Sequence, residues 1–192
     1  MPERNQAALD FLLSRRSRPA KTLTTPVPDR AALTELLTAG LRSPDHGKLE
    51  PWRLIVLEEP ALKRLGALAL SRADALGQDA AQAEKAALPF LTGALAVAVI
   101  ESPVPSEKVP AIEQSYSAGA VCLSLLNAAL AAGWGANWLS GWVSHDRTFC
   151  AEGLELTADE KIAGIIHIGT ERMAPPERPR PNLAEKVTWQ SA

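Results

Sequence analysis

The sequence predicts an α+β domain in which helices flank a central mixed sheet of about four strands. Three observations lead there. Segments with apolar residues at helical spacing are interspersed with short runs rich in branched apolar residues. The two kinds do not alternate strictly, which argues against a doubly wound sheet. The 192 residues suit one domain, large enough to bury a core without staples. We read residues 1–192 as that domain, with 171–192 as an extended C-terminal arm.

The first helix is predicted over about Gln6 to Ser14, where Ala8, Leu9, Leu12 and Leu13 recur at helical spacing. It stops at the basic run Arg15, Arg16, Ser17, Arg18, followed by Pro19. A proline-containing link leads to a second helix near Asp29 to Leu41, with Asp29 as N-cap and Leu33, Leu36, Leu37 and Leu41 on one face. The polar stretch from Ser43 to Pro51 is too long for a tight turn, and such loops often carry function. Arg53 to Glu58 reads as a strand, and Pro60 opens a third helix ending near Gly77. An alanine-rich helix runs to Leu88. The unbroken apolar run Ala94 to Ile100 is a strand buried on both faces. Pro110 opens the longest helix, which ends at Gly133 and is apolar almost all round from Ala118 onward, so it belongs in the middle of the structure. Trp134 to Leu139 and Lys161 to Ile168 are further strands. Four prolines (175, 176, 179 and 181) leave the tail little core of its own, so it is expected to wrap a neighbouring surface.

Composition narrows the functional classes. A net charge of −2 gives no bulk attraction to nucleic acid or anionic membrane, so an anionic ligand must be captured locally by a few arginines. The most apolar windows, Ala94 to Ile100 and Ala118 to Ala132, are shorter than the roughly 20 residues of a membrane span. The chain opens without a basic stretch followed by an apolar run, and its two cysteines, Cys122 and Cys150, form no CxxC or metal-spaced cluster. These features together predict a cytoplasmic protein that binds neither nucleic acid nor membrane. His46, His145 and His167 are too widely spaced to suggest a metal centre. GxGxxG after a strand, the phosphate loop, HExxH and GxSxG are all absent.

Several segments carry candidate chemistry, each beside a plainer reading. Arg15, Arg16 and Ser17 at a helix end offer forked donors suited to a phosphate or polyol; equally, they are a solvated basic end facing the helix dipole. The loop from Arg42 to Trp52 gathers Arg42, Asp45, His46, Lys48 and Glu50, with His46 either a ligand donor or a turn cap. Glu113, Gln114 and Ser117 open a helix whose small residues Ala118, Gly119 and Ala120 permit close packing. Trp138, Leu139, Ser140 and Gly141 close a strand where backbone can approach a flat ligand. Arg178 and Arg180 stand rigidly spaced on the tail.

In sequence, these segments resemble the FMN-dependent nitroreductase family, in particular its short single-domain NAD(P)H nitroreductases. "SRRS" resembles the family's helix-ending Arg-Arg-Ser, and "RSPDHGKLEPWRLIV" its Pro-Ser-Ser-x-Asn-x-Gln-Pro-Trp loop in the Pro-Asp-His form of the short members. "EKVPAIEQSYSAGA" resembles Lys-Val-Pro-x-Trp-Glu-Gln, "GANWLSG" resembles Trp-x-Ser-Gly, and "HIGT" with "ERPRP" resembles the final strand and basic tail.

The resemblance implies a nitroreductase-like fold and a homodimer with FMN at the interface. It implies hydride transfer from NAD(P)H through the flavin to a small acceptor such as a nitroaromatic or quinone. It assigns Arg15, Arg16 and Ser17 to the ribityl and phosphate of FMN, and Arg178 and Arg180 to the phosphate. Arg42 and His46 would reach the partner's flavin, and Trp138, Leu139 and Ser140 would lie along the isoalloxazine. Leu183 to Trp189 would add a strand to the partner's sheet. It names no catalytic acid or base. Asp45 and His46 in place of two serines, Glu50 in place of glutamine and Leu139 in place of an arginine bear on substrate and nicotinamide preference. The alternative is an FMN-binding homodimer that stores or senses flavin without turnover.

Overall fold

The computed structural model describes residues 3–191; Met1, Pro2 and Ala192, which the predicted domain span includes, lie outside the described residues. Helix α1 spans Gln6–Ser14, capped by Asn5, whose side chain accepts from Ala8 N. None of its residues is buried. A short 3₁₀ turn and the two-residue strand β1 (Leu23–Thr24) follow. Helix α2 (Arg30–Gly40) starts at Asp29, whose carboxylate accepts from Ala32 N at 2.8 Å. Asp29→Ala strands that N–H, and a loss of about 1 kcal/mol in urea unfolding is expected; an unchanged midpoint would show that the cap adds nothing beyond packing.

Strand β2 (Trp52–Glu58) leads directly into α3 (Glu59–Ala75), with Pro60 in its first turn, where a missing N–H costs nothing. Helix α4 (Ala80–Thr92) continues past the expected end at Leu88, carrying Pro89 inside it. Burial of Phe90 against the sheet outweighs the one helix hydrogen bond that Pro89 forgoes. Strand β3 (Leu95–Glu101) is buried over its first six residues, as an unbroken apolar run requires. Helix α5 (Ala111–Ala131) ends before Gly133, which takes the left-handed φ of +84°. Strands β4 (Gly135–Leu139) and β5 (Lys161–Glu171) complete the sheet.

The sheet order is β1-β5-β3-β2, with β4 also paired to β5. Every described pairing is antiparallel, so the expectation of a mixed sheet is corrected. Parallel neighbours need crossovers on one edge, and here consecutive strands return along their neighbours instead. One face carries Ala96, Ala98, Ile100 and Ile165 against α3 and α4; the other carries Val97, Val99, Ile166 and Ile168 against α2 and α5. That two-sided burial gives a helix–sheet–helix sandwich. Cys122 sits inside the second layer, where burial pushes its thiol up to about 12, leaving it protonated and inert. Between Val99↔Gly164 and Ile100↔Ile162 the register slips by one residue, a bulge in β5. In the tail, Leu183–Lys186 forms a one-turn helix, α6, whose side chains are exposed. Among the described residues, no helix is long and apolar enough to cross a membrane.

Candidate functional site

The basic run after α1 lies along the outer side of β4. Arg18 N donates to Ala136 O at 2.8 Å, and Asn137 Nδ2 donates to Arg18 O at 2.9 Å. This anchoring turns Arg15, Arg16 and Ser17 inward, and all three are half-buried. Arg15 Nη2 donates to Ser17 Oγ at 2.9 Å, and Arg16 Nη1 donates to Ser17 O at 3.3 Å. The Nε atoms of both arginines are buried with no partner among the described residues. Burial, then the like charges of Arg180 and Arg16, hold the Arg15 guanidinium below the usual arginine range. Three cations thus converge from two ends of the chain. Such crowding is unfavourable until an anion joins it.

Beside β4 opens a cavity of about 600 Å³, within the range of small-molecule sites. Leu139, Ser140 and Gly141 at the end of β4 form one wall. The opposite wall is one face of α4 and the link before it, with Gln78, Gln82, Lys85 and Pro89 at helical spacing. Trp142, Ser144, Ile165 and His167 close the inner end. Three atoms of lining residues are buried without a hydrogen-bond partner: Gln78 Oε1, Trp142 Nε1 and Ser144 Oγ. Buried polar groups are almost always paired, so each of these atoms calls for a partner, a water or a ligand atom. These are neutral donors and acceptors, whereas the arginine cluster is cationic. Arg15, Arg16, Ser17 and Arg180 do not line this cavity; what links the two is β4, which Arg18 bonds at Ala136 and whose end forms a cavity wall.

Of the β4 residues singled out in the sequence, Trp138 and Leu139 point to opposite faces of the sheet. Side chains alternate along a strand, so Trp138, opposite Ile166, shares the α2/α5 face, while Leu139, opposite Ile165, faces the cavity. The indole covers Gly164, where a Cβ would collide with Trp138 Nε1. Arg178 is exposed, and only its backbone N–H bonds, to Glu177 Oε1, whereas Arg180 pairs with Glu177 at 2.8 Å and stands near Arg15.

Arg42 and His46 lie in the other layer. His46 Nδ1 meets Glu113 Oε2 at 2.5 Å across the start of α5. Ser117 Oγ donates to Pro44 O and accepts from Trp52 Nε1, so it fastens the loop to α5. Gln114 bonds both backbone groups of Val104 and is structural. The loop holds left-handed φ at Gly47 (+74°), Lys48 (+54°) and Glu50 (+50°), with Glu50 N donating to Asp45 Oδ2. Two non-glycine residues in that region cost energy that the surroundings must offset. Glu50 is exposed and outside the cavity lining. Within one chain, then, Arg42 and His46 do not meet the arginine cluster.

Gln78, Gln82, Lys85 and His167 line the cavity, and the sequence alone did not single them out for it. Their only signal is the i, i+4, i+7 spacing of the α4 residues, which acquires meaning once β4 is placed opposite.

The family model described as "Nitroreductase family" matches residues 12–170. The chain is 32% identical over 166 residues to "Putative NAD(P)H nitroreductase YdjA" of Escherichia coli K12, covering 86% of this chain and 89% of that protein. Among solved structures, a nitroreductase-like family protein from Bacillus cereus superposes with a TM-score of 0.79 at 24% identity, covering all of both chains. A "putative nitroreductase in complex with fmn" from Desulfovibrio desulfuricans gives 0.75 at 21% identity, covering 98% of this chain and 99% of that one. At those identities the two structures establish the fold alone.

Proposed function

The chain belongs to the nitroreductase family, and from that premise we propose that it is an FMN-dependent oxidoreductase that passes hydride from NAD(P)H, through the flavin, to a small acceptor such as a nitroaromatic or quinone. The observation that supports this is a half-buried arginine cluster, with the Nε atoms of Arg15 and Arg16 unpaired, anchored along β4, the strand whose end also walls a largely apolar cavity. FMN joins an anionic phosphate to a planar, uncharged ring, and when bound it supplies the hydride chemistry itself. Arg15, Arg16, Ser17 and Arg180 would hold the phosphate and ribityl chain, with Arg178 close by on the tail. Leu139 and Ser140 would flank the ring from β4, and Gln82 and Lys85 from α4. The apolar walls at Pro89, Leu139 and Ile165 would exclude water from a ring bound there. The residues present therefore fit the group.

The active unit is proposed to be a cytoplasmic homodimer. Helix α5 exposes Ile112, Tyr116 and Leu123 at i, i+4 and i+11, and α1 exposes Leu9, Leu12 and Leu13. Contiguous apolar faces of this kind call for a second surface. A twofold partner would bring its own Arg42 and His46, on the α5 side, toward the flavin of the first subunit. Its tail from Leu183 to Trp189, unwound from α6, would pair with the free edge of β2, beside a groove lined by Val27, Leu33, Leu37 and Val56.

The test is the visible spectrum of the purified protein before and after NADPH or NADH is added under nitrogen. A flavin band is expected that bleaches and returns when a nitroaromatic or quinone is admitted. A band that neither nicotinamide bleaches would mean flavin binding without turnover. A colourless protein that takes up no FMN would overturn the proposal.

A further inference from the structure

His167 is a core residue that lines the cavity but to which no contact with a ligand has been assigned above. It is 3% exposed, lies on β5 opposite Asn137, and shares its sheet face with Leu139 and Ile165. Phe90 meets its ring edge-on with centroids 6.1 Å apart. Nδ1 is turned toward Gly93, where even a Cβ would stand 3.3 Å away. Among the described residues no side-chain hydrogen bond reaches the imidazole, and its nitrogens, unlike Gln78 Oε1, Trp142 Nε1 and Ser144 Oγ beside it, are not fully enclosed, so the ring keeps access to the 600 Å³ cavity it lines. An unpaired polar side chain in a core is unfavourable beside an apolar one of the same shape, unless something else pairs with it. Burial drives its pKa down to about 4, so near neutral pH the ring is uncharged, with one N–H donor and one lone pair. Lys85 is the one charged side chain among the described lining residues.

We propose that His167 is a binding residue for the ligand's ring: Nε2, on the side of the imidazole away from Gly93, hydrogen-bonds the polar edge of a planar, uncharged heteroaromatic ring, while the arginine cluster takes the anionic end. This rests on the flavin reading of the cavity and adds to it a residue that selects for the ring rather than the phosphate. The consequence is specific. Losing His167 weakens every flavin equally, whereas losing an arginine weakens only the phosphorylated one.

The experiment is equilibrium binding of FMN and riboflavin to the full-length protein freed of flavin, followed by quenching of flavin fluorescence. His167→Phe is expected to weaken both ligands by the same factor, about tenfold for one hydrogen bond, and to shift the visible bands of the bound flavin. His167→Gln keeps a donor and an acceptor and is expected to recover most of the affinity. Should the phenylalanine variant fail to fold, His167→Leu carries the same comparison. Unchanged affinity and spectrum in the apolar variant, or a loss confined to FMN, would overturn the assignment. Wild-type protein that binds neither flavin would instead overturn the flavin reading beneath it.

Discussion

Replacing Arg15 and Arg180 together with alanine will lower the affinity for FMN by about 100-fold and leave that for riboflavin nearly unchanged. The magnitude follows from two charge-assisted hydrogen bonds of about 1.5–3 kcal/mol each, discounted because the Arg180 side chain is 52% exposed and already shared with Glu177. The direction follows from the cluster itself. Arg15 is destabilised as a cation by burial and by its neighbours Arg180 and Arg16, so a phosphate relieves an unfavourable arrangement rather than adding to a neutral one. The same reasoning predicts that Arg180→Ala alone will not lower the melting temperature of the flavin-free protein, because one repulsive charge has gone. Fluorescence titration against both flavins at two salt concentrations checks this: the FMN affinity of the wild type should fall with salt more steeply than that of the variant. Equal losses for FMN and riboflavin would place these arginines at the ring or at the fold, and no loss for either would leave them as surface charges.

Local signals made most of the fold legible. The helix over Gln6–Ser14, the Asp29 cap and the all-buried strand from Leu95 were each readable from residue periodicity and end chemistry, because each is stabilised mainly by its own spacing of apolar side chains. What was not legible depends on packing between elements. Pro89 looked like a helix end, but Phe90 beyond it packs against Phe149 and carries the helix on. The mixed sheet was expected because strand direction cannot be read from any single strand. The site divides in the same way. Arg15, Arg16 and Ser17 stand together in the chain and could be named, whereas Gln82, Lys85 and His167 come together only when α4, β4 and β5 assemble. Trp138 and Leu139 are adjacent in sequence, yet alternation along β4 sends them to opposite faces.

Away from the cavity, Glu160→Gln is expected to cost about 2 kcal/mol of folding stability at neutral pH, below the roughly 3–5 kcal/mol of a fully buried ion pair because the Arg53 side chain is 43% exposed. Glu160 is 8% exposed and uses both carboxylate oxygens twice. Oε1 accepts from Arg53 Nε at 2.6 Å and Ser102 Oγ at 2.7 Å, and Oε2 accepts from Arg53 Nη2 and Thr157 N, both at 3.0 Å. It thereby ties β2, the end of β3 and the turn before β5 at one point. A glutamine presents an amide N–H₂ to donors that need an acceptor, so at least one buried donor goes unpaired. The Arg53 hydrogen bonds, ahead of those from Ser102 and Thr157 and against the opposing effect of burial, hold the carboxyl down to about 2, from an ordinary value of 4.5. Because the folded value is the lower one, the contribution is complete above about pH 4.5 and is lost as pH falls through about 2. Acid therefore converts the wild type toward the variant. Urea unfolding should show the full gap between the two proteins at neutral pH, narrowing steadily below pH 4.5. Asp146, held low by its hydrogen bonds from Arg72, also takes up a proton in acid, but that pair is present in both proteins and cancels in the difference. A gap that stayed constant down to the acid limit would mean that Glu160 acts through shape and packing, with its charge irrelevant to the fold.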